Sequence, residues 1–230
     1  MFYNLNATYL IFALPGLILA IIAQILIKVR YNKYSKVSSD TNMTGLDVAK
    51  LIQDKEDYPV DISTTKGGLQ DNFDPRNDTV NISSDNITSD SVANIAVVAH
   101  EFGHVQQKFS ASILFKIRTF MVPVVNIGSN LGYILFFIGL FINALNLSEI
   151  GLLLFSTTLI FSLITLPIEF DASKRGMKFI KNYRLITVDK QKYARKILNA
   201  AALSYVAGFV TSLGNILYYA SILSGRKRRN

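Results

Sequence analysis

His100 and His104 are the two histidines of this 230-residue chain, and they stand four positions apart in the string His-Glu-Phe-Gly-His. On a helix, residues four apart share a face, so both imidazoles can hold one ion. Glu101, directly after the first histidine, can then reach a water on that ion and take its proton as general base. The chain has no cysteine, so a thiolate site is excluded and the donors must be imidazole and carboxylate. The motif on a helix points to catalytic Zn2+, which takes three protein ligands and keeps an open position for water.

With no third histidine, the third ligand should be a carboxylate. Glu149 falls in the short link at residues 146–149 between two long apolar runs, on the opposite side of a membrane from the motif. Glu169 follows the later run and returns to the side of His100. Pro167 suits the first turn of a new helix, which would start Glu169 on that helix beside the membrane surface. Asp171 is the rival: two positions on, it points to another face and more readily supports a ligand from behind. Glu169 is therefore the expected third ligand.

The elements that must position these groups are largely apolar. Half of the chain is hydrophobic and its mean hydropathy is +0.30, usual for membrane spans combined with a modest polar portion. Residues 7–27 form a run long enough to cross a bilayer. Lys28, Arg30, Lys33 and Lys36 follow that run, so it reads as an uncleaved anchor with its carboxyl end in the cytoplasm. Further runs fill residues 120–145, 150–166 and 200–223. The middle two read as an antiparallel hairpin; the last, with its serines, Asn215 and tyrosines, spans or is re-entrant. If it spans, Arg226 and Arg229 lie outside, against the charge bias.

Between the first run and the motif the composition turns to Asp, Asn, Ser and Thr. Thr44 can cap a short helix, and β-type stretches follow at residues 60–64, 69–73 and 79–83, separated by the turns Lys66-Gly67-Gly68 and Asp74-Pro75-Arg76-Asn77. A helix starting at Ser89 or Asp90 carries Ile95, Val98, Phe102 and Val105 at helical spacing and runs to about Lys108. The expected organisation is an anchor (1–30), a cytoplasmic α+β portion ending in the motif helix (31–118), a transmembrane hairpin (119–168), a basic helical segment carrying Glu169 (169–199) and a last transmembrane helix with a basic tail (200–230). The fold class is mainly α: a polytopic membrane protein of about four transmembrane helices with a small zincin-like α+β portion.

The formal charge is +8, but the basic residues crowd beside apolar runs, as membrane-surface anchoring requires. They are not interleaved with stacking aromatics, which argues against nucleic acid as a partner.

Asp74-Pro75-Arg76-Asn77, the stretch 96–107 around the motif, and Leu166-Pro167-Ile168-Glu169-Phe170-Asp171-Ala172-Ser173 resemble the YugP-like membrane zinc metallopeptidases of bacteria. The similarity extends from Met43 to Tyr205. The family looks like a distant relative of the CAAX-processing and heat-shock membrane proteases. The resemblance implies zinc on His100, His104 and Glu169 and the general-base role on Glu101. Those relatives commonly carry an aspartate four residues after the ligand glutamate, where this chain has Ser173, so the groups behind the ligands must be arranged differently, with Asp171 one candidate.

The expected activity is zinc-dependent endoproteolysis of peptide or membrane-protein substrates at the bilayer surface, on the cytoplasmic side of a bacterial cell membrane. Residues 79–83 are the candidate edge strand for substrate, and Arg175 and Tyr205 the candidate oxyanion donors, Arg175 suiting a lipid headgroup better. Two other classes remain: a scaffold with a structural metal, and a hydrolase of a lipid-like substrate. Oligomeric state is not legible.

Overall fold

The computed structural model describes residues 2–67 and 70–227, with side chains from residue 7 onward. Gly68 and Leu69, in the expected turn and second strand, and Arg228 and Arg229 of the basic tail lie outside the described residues. The chain is mainly helical, and its elements group into two units.

The first unit comprises residues up to Ala23, Ile117–Pro167 and the chain from Leu203 onward. It takes most of its residues from four helices: α1 (Phe2–Tyr34), α5 (Ile113–Phe141), α7 (Thr157–Asn182) and α8 (Gln191–Lys227), joined by the shorter α6 (Leu145–Phe155). Four helical stretches are long and apolar enough to cross a membrane: Ala7–Tyr34, Ile113–Phe141, Leu145–Asn182 and Gln191–Lys227. Their large apolar side chains point outward in numbers that water would not tolerate; Ile11, Phe120, Phe141 and Leu153 are among them.

Small residues set the packing here. A Cβ on Gly132 would stand 2.6 Å from the Phe155 nitrogen, and one on Gly151 2.3 Å from the Phe136 nitrogen, so α5 and α6 touch backbone to backbone. Gly16 and Gly214 do the same for α1 and α8, against Thr211 and Phe12. Close approach of this kind replaces the hydrophobic drive that lipid cannot supply.

Two sequence expectations change. The hairpin turn lies at residues 142–144, where Asn143 adopts a left-handed conformation (φ 60°), and residues 146–149 form the first turn of α6. Pro167 sits inside α7 and starts no new helix. Proline is tolerated within apolar helices because neighbouring groups satisfy the freed carbonyl; Pro15 and Pro123 lie inside α1 and α5 in the same way. The last apolar run is one unbroken helix, α8, long and apolar enough for the fourth span. Its basic end is held: Arg226 donates to the Leu140 carbonyl at 2.6 Å and Lys227 pairs with Glu149.

The second unit comprises Gln24–Lys116 and Ile168–Ala202. Thr44 caps α2 (Gly45–Glu56) through a reciprocal capping box with Asp47, an arrangement that stabilises such a start by about 1 kcal/mol. Strands β1 (Asp61–Thr65), β2 (Asn72–Asp74) and β3 (Thr79–Ser83) form one sheet in the order β1-β3-β2, with β1 parallel and β2 antiparallel to β3. The candidate edge strand at residues 79–83 is therefore the central one. Its inward Val80 and Ile82 are fully buried, and it is paired along its length by β1 and over residues 79–81 by β2. The edges are β1 and β2.

After the short α3 (Ser84–Ile87), Ser91 accepts from the Asn94 N–H and starts α4 (Val92–Phe109), whose Ile95, Val98, Phe102 and Val105 are completely buried. The expected helix is present, beginning slightly later.

Candidate metal centre

Helix α4 carries the motif and α7 carries Glu169, and two glycines let them meet. A Cβ on Gly103 would stand 2.3 Å from the Ala172 carbonyl oxygen, and one on Gly176 2.9 Å from the Ala99 carbonyl oxygen. The helices thus cross backbone to backbone within the motif at Gly103 and at its start beside Ala99 and His100. That crossing brings Glu169 to both histidines: its Oε2 lies 3.4 Å from His100 Nε2 and 3.5 Å from His104 Nε2. Glu169 is 2 % exposed. His100, His104 and Glu169 could hold a metal ion, with ligand atoms all within 4.8 Å of one another.

The groups behind the histidines set which nitrogen faces inward. Gln107 Nε2 donates to the Ile168 carbonyl (2.8 Å) and to Asp171 Oδ2 (2.9 Å). Its Oε1 must then accept from His104 Nδ1, 3.0 Å away. That places the proton on Nδ1 and the lone pair on Nε2, toward Glu169. His100 Nδ1 meets the Ser173 hydroxyl at 3.2 Å. Asp171, the rival ligand, is instead bound by Gln107 and by Arg175 Nε at 2.6 Å.

The residues fit zinc. Both Glu169 oxygens are buried without a hydrogen-bond partner among the described residues. A buried carboxylate left unpaired is costly, and here it faces an imidazole lone pair. The His104 lone pair and the carboxylate facing it repel each other unless a cation or a shared proton joins them. Imidazole and carboxylate are the donors zinc takes.

Glu101 occupies the other side of the motif. It is 8 % exposed, and its Oε2 accepts the Phe73 N–H of strand β2 at 2.9 Å. Burial pushes its carboxyl up from the ordinary 4.5 to about 7; His100 opposes this, Glu169 and Asp71 add to it, and the Phe73 N–H opposes. Phe115 closes the apolar side, its ring 6.0 Å from that of His104 and 6.5 Å from that of Phe73.

The chain matches, over residues 9–224, the family model described as "Putative neutral zinc metallopeptidase". It belongs to that family. It is also 35% identical over 220 residues to the "Putative membrane protease YugP" of Bacillus subtilis (strain 168), covering 95% of this chain and 98% of the relative. No solved structure matches the chain. For a member of this metallopeptidase family, sequence reasoning found the motif and Glu169 but missed Gln107, Gly103 and Gly176. Gln107 stands three residues after His104 on the same helix, a spacing that could have suggested it. The residue expected to need a substitute, Ser173, supplies the contact to His100 itself. Of the candidate oxyanion donors, Arg175 is engaged by Asp171, by Gln106 Oε1 (3.0 Å) and by Ser110 (3.4 Å), and Tyr205 belongs to the other unit.

Proposed function

We propose that the chain is a membrane-embedded zinc-dependent endopeptidase that cuts peptide bonds of peptide or membrane-protein substrates near the bilayer surface. The observation that carries the reading is the buried, unpartnered Glu169 carboxylate facing the Nε2 atoms of His100 and His104. These three residues would hold Zn2+, which supplies Lewis acidity for an attacking water and a scissile carbonyl.

The rest is work of this chain's own groups. Glu101 is the general base: its carboxylate accepts the proton of the attacking water and returns it to the leaving amine. Burial raises its carboxyl in the metal-free protein, so it holds a proton more readily than an ordinary glutamate does, which suits the return of that proton to the leaving amine. The Phe73 N–H fixes one of its oxygens. Strand β2 is an edge of the sheet and touches the general base, so it replaces residues 79–83 as the strand that aligns an extended substrate. Ser173 and Gln107 hold the imidazoles in register. Sidedness follows the basic residues after the first run: the site works on the cytoplasmic face of the bacterial cell membrane.

The test is a peptide-library digest read by mass spectrometry with purified protein. Glu101→Gln should lower turnover by roughly 10²–10⁴-fold while the zinc content stays that of the wild type. Full turnover in Glu101→Gln would remove Glu101 from the mechanism.

A further inference from the structure

Between α7 and the start of α8, within the second unit, lies a cavity of about 400 Å³ that the proposed chemistry does not use. Its rim is cationic: Lys174, Lys178 and Lys181 from α7 and Arg195 from α8. Its floor is apolar, formed by Met177, Leu198 and Ala202, all buried. No carboxylate lines it among the described residues, and none of the four basic side chains is in an ion pair with one there.

The two kinds of lining are ordered along the helices. Lys181 and Arg195 stand at the ends of α7 and α8 farthest from their apolar stretches. Phe170, half exposed, follows the apolar stretch of α7, and Ala202 lies at the start of that of α8. A ligand that satisfies both ends must carry an anion at one and an apolar chain at the other. Inorganic phosphate would meet the rim and leave the floor empty, and a neutral lipid would leave the like charges of Lys178, Lys181 and Arg195 facing one cavity, with Lys174 near a carboxylate, Asp171.

We propose that this groove is a binding site for the phosphate headgroup of an anionic phospholipid, with the first part of an acyl chain over Met177, Leu198 and Ala202. The site is specific in a way that scattered surface lysines are not: its charges converge on one cavity, and each basic residue near an anionic headgroup contributes about fivefold in affinity. Ser173 lines the same cavity and contacts His100, so a bound lipid steadies the face of α7 that holds a histidine in place.

The chain has no tryptophan, so Asn199→Trp, at an exposed position on the rim, gives a single reporter in the full-length protein reconstituted into phosphatidylcholine vesicles. Brominated phosphatidylglycerol should quench it at a mole fraction at least about tenfold lower than brominated phosphatidylcholine does. In that background Lys178→Gln with Lys181→Gln and Arg195→Gln should abolish the preference. Lys28→Gln with Lys36→Gln and Lys50→Gln, the same loss of charge elsewhere, should keep it. Far-UV circular dichroism checks both; if the pocket variant does not fold, Lys178→Gln alone should reduce the preference by about fivefold. Equal quenching by the two lipids, or a preference that survives loss of the pocket charges, would overturn the proposal. Relief of quenching by millimolar inorganic phosphate would assign the site to free phosphate, and relief by micromolar polyglutamate to an acidic peptide; either would overturn the lipid.

Discussion

The two units solve the same problem, holding helices together, by different means. In the apolar unit the contacts are glycine against backbone, as at Gly132, Gly151, Gly16 and Gly214, and large side chains face outward. In the site-bearing unit glycine serves the crossing at Gly103 and Gly176 and the approach of Gly45 to the Asn86 carbonyl, and the rest is a buried apolar core with polar side chains tied by hydrogen bonds. A surrounding of lipid removes the hydrophobic drive and leaves close packing as the adhesive. Burial away from lipid restores that drive and allows carboxylates and imidazoles to be held where chemistry needs them. The motif crossing borrows the first device to serve the second.

The sharpest way to break that comparison is to put bulk at a glycine in each unit. Gly103→Val would push α7 off α4 by way of the Ala172 carbonyl, cost several kcal/mol, on the order of other overpacked core sites or more, and abolish zinc binding. Gly132→Val should lower the unfolding temperature comparably yet leave the zinc content of the folded fraction unchanged. Loss of metal in both would mean that the two units do not differ as described.

A smaller effect concerns Glu101. Its folded carboxyl is raised from 4.5 to about 7, so the metal-free folded state binds this proton more tightly than the unfolded chain does. The stabilisation is present below about 4.5 and is lost as pH rises to about 7; above that, a buried charge remains. Glu101→Gln should therefore be more stable than the wild type in chelator at pH 8, by at most about 3 kcal/mol. The difference should vanish at pH 4, which a thermal-unfolding series in detergent checks. A pH-independent difference would show that burial does not set this carboxyl.

Smallest are the groups behind the ligands. Gln107→Leu and Ser173→Ala should each weaken zinc affinity about 10- to 100-fold with the fold intact, measured by competition with a chromophoric chelator. Gln107→Leu should be the more severe, because it also strips partners from Asp171 and the Ile168 carbonyl.

What was legible in the sequence was local. The motif, the apolar runs, the Thr44 cap and the helix around His100 each declare themselves within a few residues through spacing or capping chemistry. Glu169 was reached by counting crossings, although the helix start invoked for Pro167 does not exist. The proline reading failed because apolar surroundings tolerate what water punishes. The hairpin turn was misplaced by a few residues; Asn143, a residue type that accepts positive φ, was the signal. The order β1-β3-β2 is not legible, since nothing in the strands' own residues says that β1 skips β2 to pair parallel with β3, which makes residues 79–83 central rather than an edge. Gly103 carries no local signal, because its role depends on Ala172 of another helix packing against it.

The central claim is that His100, His104 and Glu169 together hold one zinc ion, and metal content of the detergent-purified protein tests it most directly. The account predicts about one zinc per chain in the wild type, lost or strongly weakened in both His100→Ala and Glu169→Gln, with the helical content of each variant preserved. Zinc lost in His100→Ala but retained in Glu169→Gln, or a wild type that binds no metal after reconstitution, would contradict it.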